Sequence, residues 1–240
     1  MASLPIQKRN LFEGMSLTGG LTLGWLLGLR AVCHLWLIVI SYWTRALNME
    51  GSVTALPQHW LRILNVSLPF VSVQAGTITP AIWLGTLCVT AGVFALTFLG
   101  SGHSPWVYLV RALVFIQASA HIYFAVASAR FPHDIPTYTM GMLSFGILLI
   151  GMIPVVLAFT YYLFDFSLGK KLGLSLLLMG HLTLFFPLQY ILHAYVLHFS
   201  MLFMPILYFA FGPFLDVLIF VCFYSWGMSW PSRAQSMAIV

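Results

Sequence analysis

The sequence predicts an all-α, polytopic membrane protein: six transmembrane helices in one bundle, with both termini cytoplasmic. Three observations carry that expectation. Hydrophobic residues make up 61% of the 240-residue chain and charged residues 6%, far below the roughly 25% charged of a soluble domain. Apolar runs long enough to cross a bilayer, which takes about 20 helical residues, recur along the chain. The stretches between them are too short to fold separately, so residues 1–240 form a single transmembrane domain.

The spans fall near 20–43, 81–100, 106–128, 138–164, 172–192 and 199–226. The polar leader before span one lacks a signal-peptide core, which makes that span an uncleaved anchor. Its Gly20, Gly24 and Gly28 recur every fourth residue and permit close approach by another helix. An outer loop, 44–80, comes next. From Pro57, the residues Trp60, Leu61, Leu64 and Leu68 share a helical face opposite Gln58, Arg62 and Asn65, which reads as a short interfacial helix near 57–68 or as a loop packed over the bundle. Asn65-Val66-Ser67 is a glycosylation sequon on the same side. Gly100-Ser101-Gly102 turns the chain between spans two and three, and Pro132 and Pro136 lie between three and four. Span four carries Gly141, Gly146 and Gly151. Pro154, Pro187, Pro205 and Pro213 fall inside spans four to six and predict kinks. No internal repeat is visible, so nothing supports an inverted-repeat transporter.

Orientation is set by the basic residues. Lys8, Arg9, Lys170, Lys171 and Arg233 fall on one side; Arg45, Arg62 and Arg130 fall on the other. The positive-inside bias places the first side, and both termini, in the cytoplasm. The net charge of +5 is therefore topological rather than a nucleic-acid surface, and no basic run interleaved with aromatics exists. Arg111 sits within snorkelling reach of the same headgroups. Cys33, Cys88 and Cys222 lie in apolar runs without paired spacing, as buried small residues do. The expected setting is a plasma or bacterial inner membrane.

Ionisable groups inside a bilayer are expensive and mark functional sites or buried pairs. At about 1.5 Å per residue, Arg30 on span one, Asp216 on span six, His181 on span five and Gln117 on span three all lie roughly 14–17 Å from the cytoplasmic side. This polar layer has two readings. One is an Arg30–Asp216 ion pair that fixes span one against span six, with the histidines as hydrogen-bond partners. The other is a hydrated path in which Asp216 and the histidines bind or relay a proton, ion or polar headgroup. His34 and His121 lie higher, at roughly 21–23 Å. Each is four residues beyond a member of the lower layer, Arg30 or Gln117, so spans one and three each present a polar stripe that the simplest packing turns inward.

Matched depth also makes His34 and His121 candidate axial ligands of one haem b. At the outer rim, His59, His133, Asp134, His193 and His198 are candidates for a zinc or copper site. No compact HxxxH or HExxH spacing accompanies them. Ser101-Gly102-His103-Ser104 lacks an acidic partner, so hydrolase chemistry has no support. A retinal Schiff base has no lysine within the predicted spans.

Three function classes remain. The first is non-enzymatic: a subunit of a membrane complex, or a small transporter or channel, using the Arg30–Asp216–His181–Gln117 layer. Its partners are the lipid bilayer and other membrane subunits. The second is a b-type redox subunit. The third is an enzyme acting on a lipid or lipid-linked substrate through the outer histidines and Asp134.

Overall fold

The structure, a computed structural model, describes residues 8–60, 64–99, 104–128, 131, 134–161 and 167–229. Among the described residues, six helical spans are long and apolar enough to cross a membrane. They comprise α1 (Lys8–Ala46), α2 (Pro80–Leu99), α3 (Pro105–Ala127), α4 (Ile135–Tyr161), α5 (Leu168–Phe199) and a sixth that is broken. The sixth consists of a 3₁₀ turn (Met201–Phe203), α6 (Met204–Phe211) and α7 (Pro213–Met228). The protein is an integral multi-pass membrane protein.

α1 runs well beyond the predicted 20–43. It buries a stripe of Trp25, Leu29, Cys33, Trp36 and Ile40, spaced by threes and fours as a helix face demands. The helix ends in a Schellman motif. The Met49 N–H donates to the Thr44 carbonyl (3.0 Å) and the Asn48 N–H to the Arg45 carbonyl (3.1 Å). Asn48 takes the left-handed conformation this cap requires, at φ 49°.

Residues 57–60 and 64–68 are extended strand, so the expectation of an interfacial helix near 57–68 is corrected. The chain there is an antiparallel hairpin of β1 (Ser52–Trp60) and β2 (Leu64–Ser72), in register from Ser52 opposite Ser72 to Trp60 opposite Leu64. Pro57 and Pro69 explain the difference. Each biases its predecessor, Leu56 or Leu68, toward extended backbone, and Pro69 cannot continue a helix. A two-stranded sheet has only edge strands, where proline is tolerated. Val66, Leu68, Val71 and Val73 are buried against the bundle.

α1, α4 and α5 pack together beneath this hairpin and form the core. Gly151 of α4 lies against the Trp25 ring; a Cβ there would sit 3.1 Å from it. Trp36 of α1 is fully buried, and its Nε1–H donates to the Thr183 carbonyl of α5 at 2.7 Å. That carbonyl needs an outside donor because Pro187, four residues on, has no N–H to give it. α2 packs on α3, α3 on the first half of the sixth span, and α7 on α5 and α6.

α5 also starts earlier than predicted and takes Lys170 and Lys171 into its first turn. Lys171 is buried there, its Nζ 3.8 Å from Glu13 Oε2 of α1. The Tyr161 hydroxyl donates to the Lys171 carbonyl (2.8 Å) and lies 2.9 Å from Ser175 Oγ. The termini of α1, α4 and α5 are thus tied together on the Lys171 side of the bundle.

Candidate functional site

The break in the sixth span creates the site. Gly212 and Pro213 interrupt the helix: Pro213 takes the first position of α7, where its missing N–H is harmless. A Cβ at Gly212 would meet the Tyr208 carbonyl, so the chain can turn this tightly only at glycine. The carbonyl of Phe211 is released from the helical ladder by the break, and α5 supplies its donor. His193 Nε2–H donates to it at 3.2 Å. Nδ1 of the same ring is then the acceptor for the Tyr138 hydroxyl of α4, at 2.8 Å. The two rings lie nearly parallel, at 9°. One fully buried histidine therefore joins α4, α5 and the helix break.

One turn below, Asp216 sits in the first turn of α7, where the helix dipole favours a carboxylate. Its side chain is buried, and Gln189 Nε2–H of α5 donates to Oδ1 at 2.9 Å. Oδ2 is buried and, among the described residues, has no hydrogen-bond partner, and the same holds for Gln189 Oε1. Gln189 and His193 are i,i+4 on α5, so one face of that helix serves both contacts. Asp216 lies at the middle of the sixth span, Met201–Met228, and so near the middle of a hydrocarbon core about 30 Å thick.

A cavity of about 340 Å³ opens beside Asp216. Tyr138, Gly141 and Phe145 of α4 form one wall, Phe186 of α5 the floor, and Tyr208 and Asp216 the other wall. Phe145 and Tyr208 are exposed on their spans, so the mouth faces sideways into the bilayer. The volume is that of a small-ligand pocket: mostly apolar, with a few polar groups placed to orient what enters.

The other predicted residues lie elsewhere. Arg30 and His34 are exposed on the outward face of α1, and Asp216 is hydrogen-bonded by Gln189 rather than by Arg30. The inward turn of the α1 stripe is thus corrected. The larger apolar stripe from Trp25 to Ile40 takes the core side, which leaves Arg30 and His34 facing out. Gln117 of α3 is buried and donates to the Leu202 carbonyl at 3.4 Å. His121 is buried edge-on to Trp83 of α2, the ring centroids 5.4 Å apart. His34 and His121 do not face a common space, because α1 packs on α4, α5 and the hairpin while α3 packs on α2 and the sixth span. His181 lies between Phe185 and Phe223, about 12 Å along α5 from Gln189.

At the rim, His193 turns inward to the Phe211 carbonyl. His198 Nδ1–H donates to the Gln74 carbonyl at 3.3 Å, and Asp134 is exposed at the start of α4. His133 and the side chain of His59 lie outside the described residues. Among the described residues, no three His, Cys, Asp or Glu side chains converge as a metal site would require. Arg111 donates from Nε to Thr97 Oγ1 and from Nη2 to the Thr97 carbonyl, both at 3.1 Å, and lies over the Phe98 ring. Its role is thus to join α3 to α2.

Sequence reasoning singled out Asp216 but missed Gln189 and Tyr138. The signal for Gln189 was available: it precedes His193 by four residues on the span at the centre of the bundle. Tyr138 carries no such signal, since tyrosines are common at span ends. No protein-family model, curated protein or solved structure matches the chain.

Proposed function

We propose that the chain is a small membrane transport component whose substrate site is the Asp216 cavity. The observation that carries the proposal is Asp216 Oδ2: a buried carboxylate oxygen with no partner among the described residues, at mid-bilayer, beside a cavity that opens to the lipid. A carboxylate left half-satisfied in such a medium is costly, and a ligand donor would relieve it. The aromatic rings of Phe145, Phe186 and Tyr208 favour a cationic head on a compact apolar body. A polar group at the break of a discontinuous span is also how many carriers build a substrate site, and Gly212–Pro213 is a natural hinge.

The test uses the full chain in nanodiscs, with benzyltrimethylammonium as probe and neutral tert-butylbenzene as its apolar control. The cation is expected to bind saturably and the control not. Asp216→Asn should weaken binding at least tenfold, about 1.4 kcal/mol, with an elution profile and melting temperature close to wild type. Equal binding of cation and control, or unchanged affinity in Asp216→Asn, would sink the proposal. A second reading, membership of a larger assembly, is favoured by a separate observation: Arg30 on the outward face of α1.

A further inference from the structure

Between Glu13 and Arg45, the only Lys, Arg, Asp or Glu in α1 is Arg30. It lies about 25 Å along the helix from Glu13 and about 22 Å from Arg45. That is the middle of the span, with roughly 15 Å of hydrocarbon on either side. It is exposed, and among the described residues no hydrogen bond or ion pair reaches it. A guanidinium facing lipid at this depth is strongly disfavoured, and such groups face a protein interior or pair with an opposite charge.

The surface around it is not random. Gly20, Leu23, Leu27, Arg30 and His34 are all exposed, Leu27 by 77%, and their spacing is 3-4-3-4. That is the seam a second helix packs against in a left-handed pair. The face at Gly20 is open: a Cβ there would meet nothing within 4 Å. His34, one turn beyond Arg30, adds a second group able to hydrogen-bond a carboxylate.

A second copy of this chain does not fit the seam. A two-fold dimer through it would set Arg30 near Arg30. Among the described residues there is also no exposed acid at that depth to offer. Asp216 is buried, Glu13, Glu50 and Asp134 lie at span ends, and Asp165 falls in the sequence between α4 and α5. Resting on the assembly reading, we infer that α1 docks, through this seam, a transmembrane helix of a different chain that carries an Asp or Glu at mid-bilayer, paired with Arg30.

The test places a benzophenone photocrosslinker at Leu27 in the full chain in its native membranes, and at Leu84, exposed on α2, as the control face. One protein adduct is expected at position 27 and not at 84, mapping by mass spectrometry to a hydrophobic span containing Asp or Glu. Arg30→Gln should reduce it at least tenfold. Arg30→Asp combined with Arg at the partner's acidic position should restore it. Purified alone, Arg30→Gln should melt no lower than wild type, because the group faces outward; a fall of several degrees would show Arg30 supporting its own fold and overturn the inference. An adduct to a span without a carboxylate overturns the charge pairing but leaves the assembly reading standing. An adduct only to lipid, only to a second copy, or to nothing overturns both.

Discussion

Trp36→Ala is expected to lower the stability of the bundle by about 3–5 kcal/mol for the lost aromatic volume, and by about 1–3 kcal/mol more for an orphaned carbonyl. The second effect has a definite cause. Pro187 removes the donor that would normally serve the Thr183 carbonyl inside α5, and the Trp36 indole replaces it at 2.7 Å. In hydrocarbon no water stands ready to take over. Trp36→Phe separates the two contributions, since it keeps most of the packing against Phe186 while deleting the donor. Melting in detergent should therefore show a two-step series, with Trp36→Phe intermediate and Trp36→Ala lowest. If the two variants melt together near wild type, the indole does not hold α1 to α5. A double variant with Pro187→Ala sharpens the test: with the helical N–H restored, Trp36→Phe should have much less effect than in the wild-type background.

The same residues show what was legible in the sequence. The six spans are readable from length and apolarity alone, because a bilayer imposes one dimension on every helix that crosses it. The hairpin was not legible in that way. A helical period matched over so short a stretch is weak, and the extended bias of Leu56-Pro57 and Leu68-Pro69 was the stronger signal. The polar stripe of α3 does turn inward, with Gln117 and His121 buried, but that of α1 failed for another reason. An i,i+4 pair such as Arg30 and His34 defines a face but not its direction; the opposite face decides, and on α1 that face holds two tryptophans, Trp25 and Trp36. Asp216 was legible as a mid-bilayer acid. Its partner was not, because pairing by charge favours Arg30, whereas geometry selects Gln189, the polar side chain that α5 presents to the helix break.

Gly76→Ala is expected to be nearly as damaging as the loss of Trp36, although it adds a single methyl to a connecting segment. The last carbonyls of α5 have no helical donors, as at any helix end. The chain between β2 and α2 lies across them: the Gly76 N–H donates to the Leu197 carbonyl at 3.2 Å, and His198 reaches back to Gln74. A Cβ on Gly76 would meet the His198 and Phe199 carbonyls, both backbone atoms that cannot rotate away. The requirement is spatial, since the glycine does not take a positive φ. Overpacking of this kind costs about 1–3 kcal/mol or more, and lifting the segment forfeits its hydrogen bonds as well, at about 1 kcal/mol each. His198→Ala removes one of those hydrogen bonds without any clash, and Gln74 can turn its carbonyl to solvent. The expected order of melting temperatures is therefore wild type, then His198→Ala close behind, then Gly76→Ala well below. Hydrogen exchange should localise the Gly76→Ala effect to the last turn of α5 and the segment after β2. Equal melting of the two variants would mean that hydrogen bonding, not close backbone approach, seats the hairpin on the bundle.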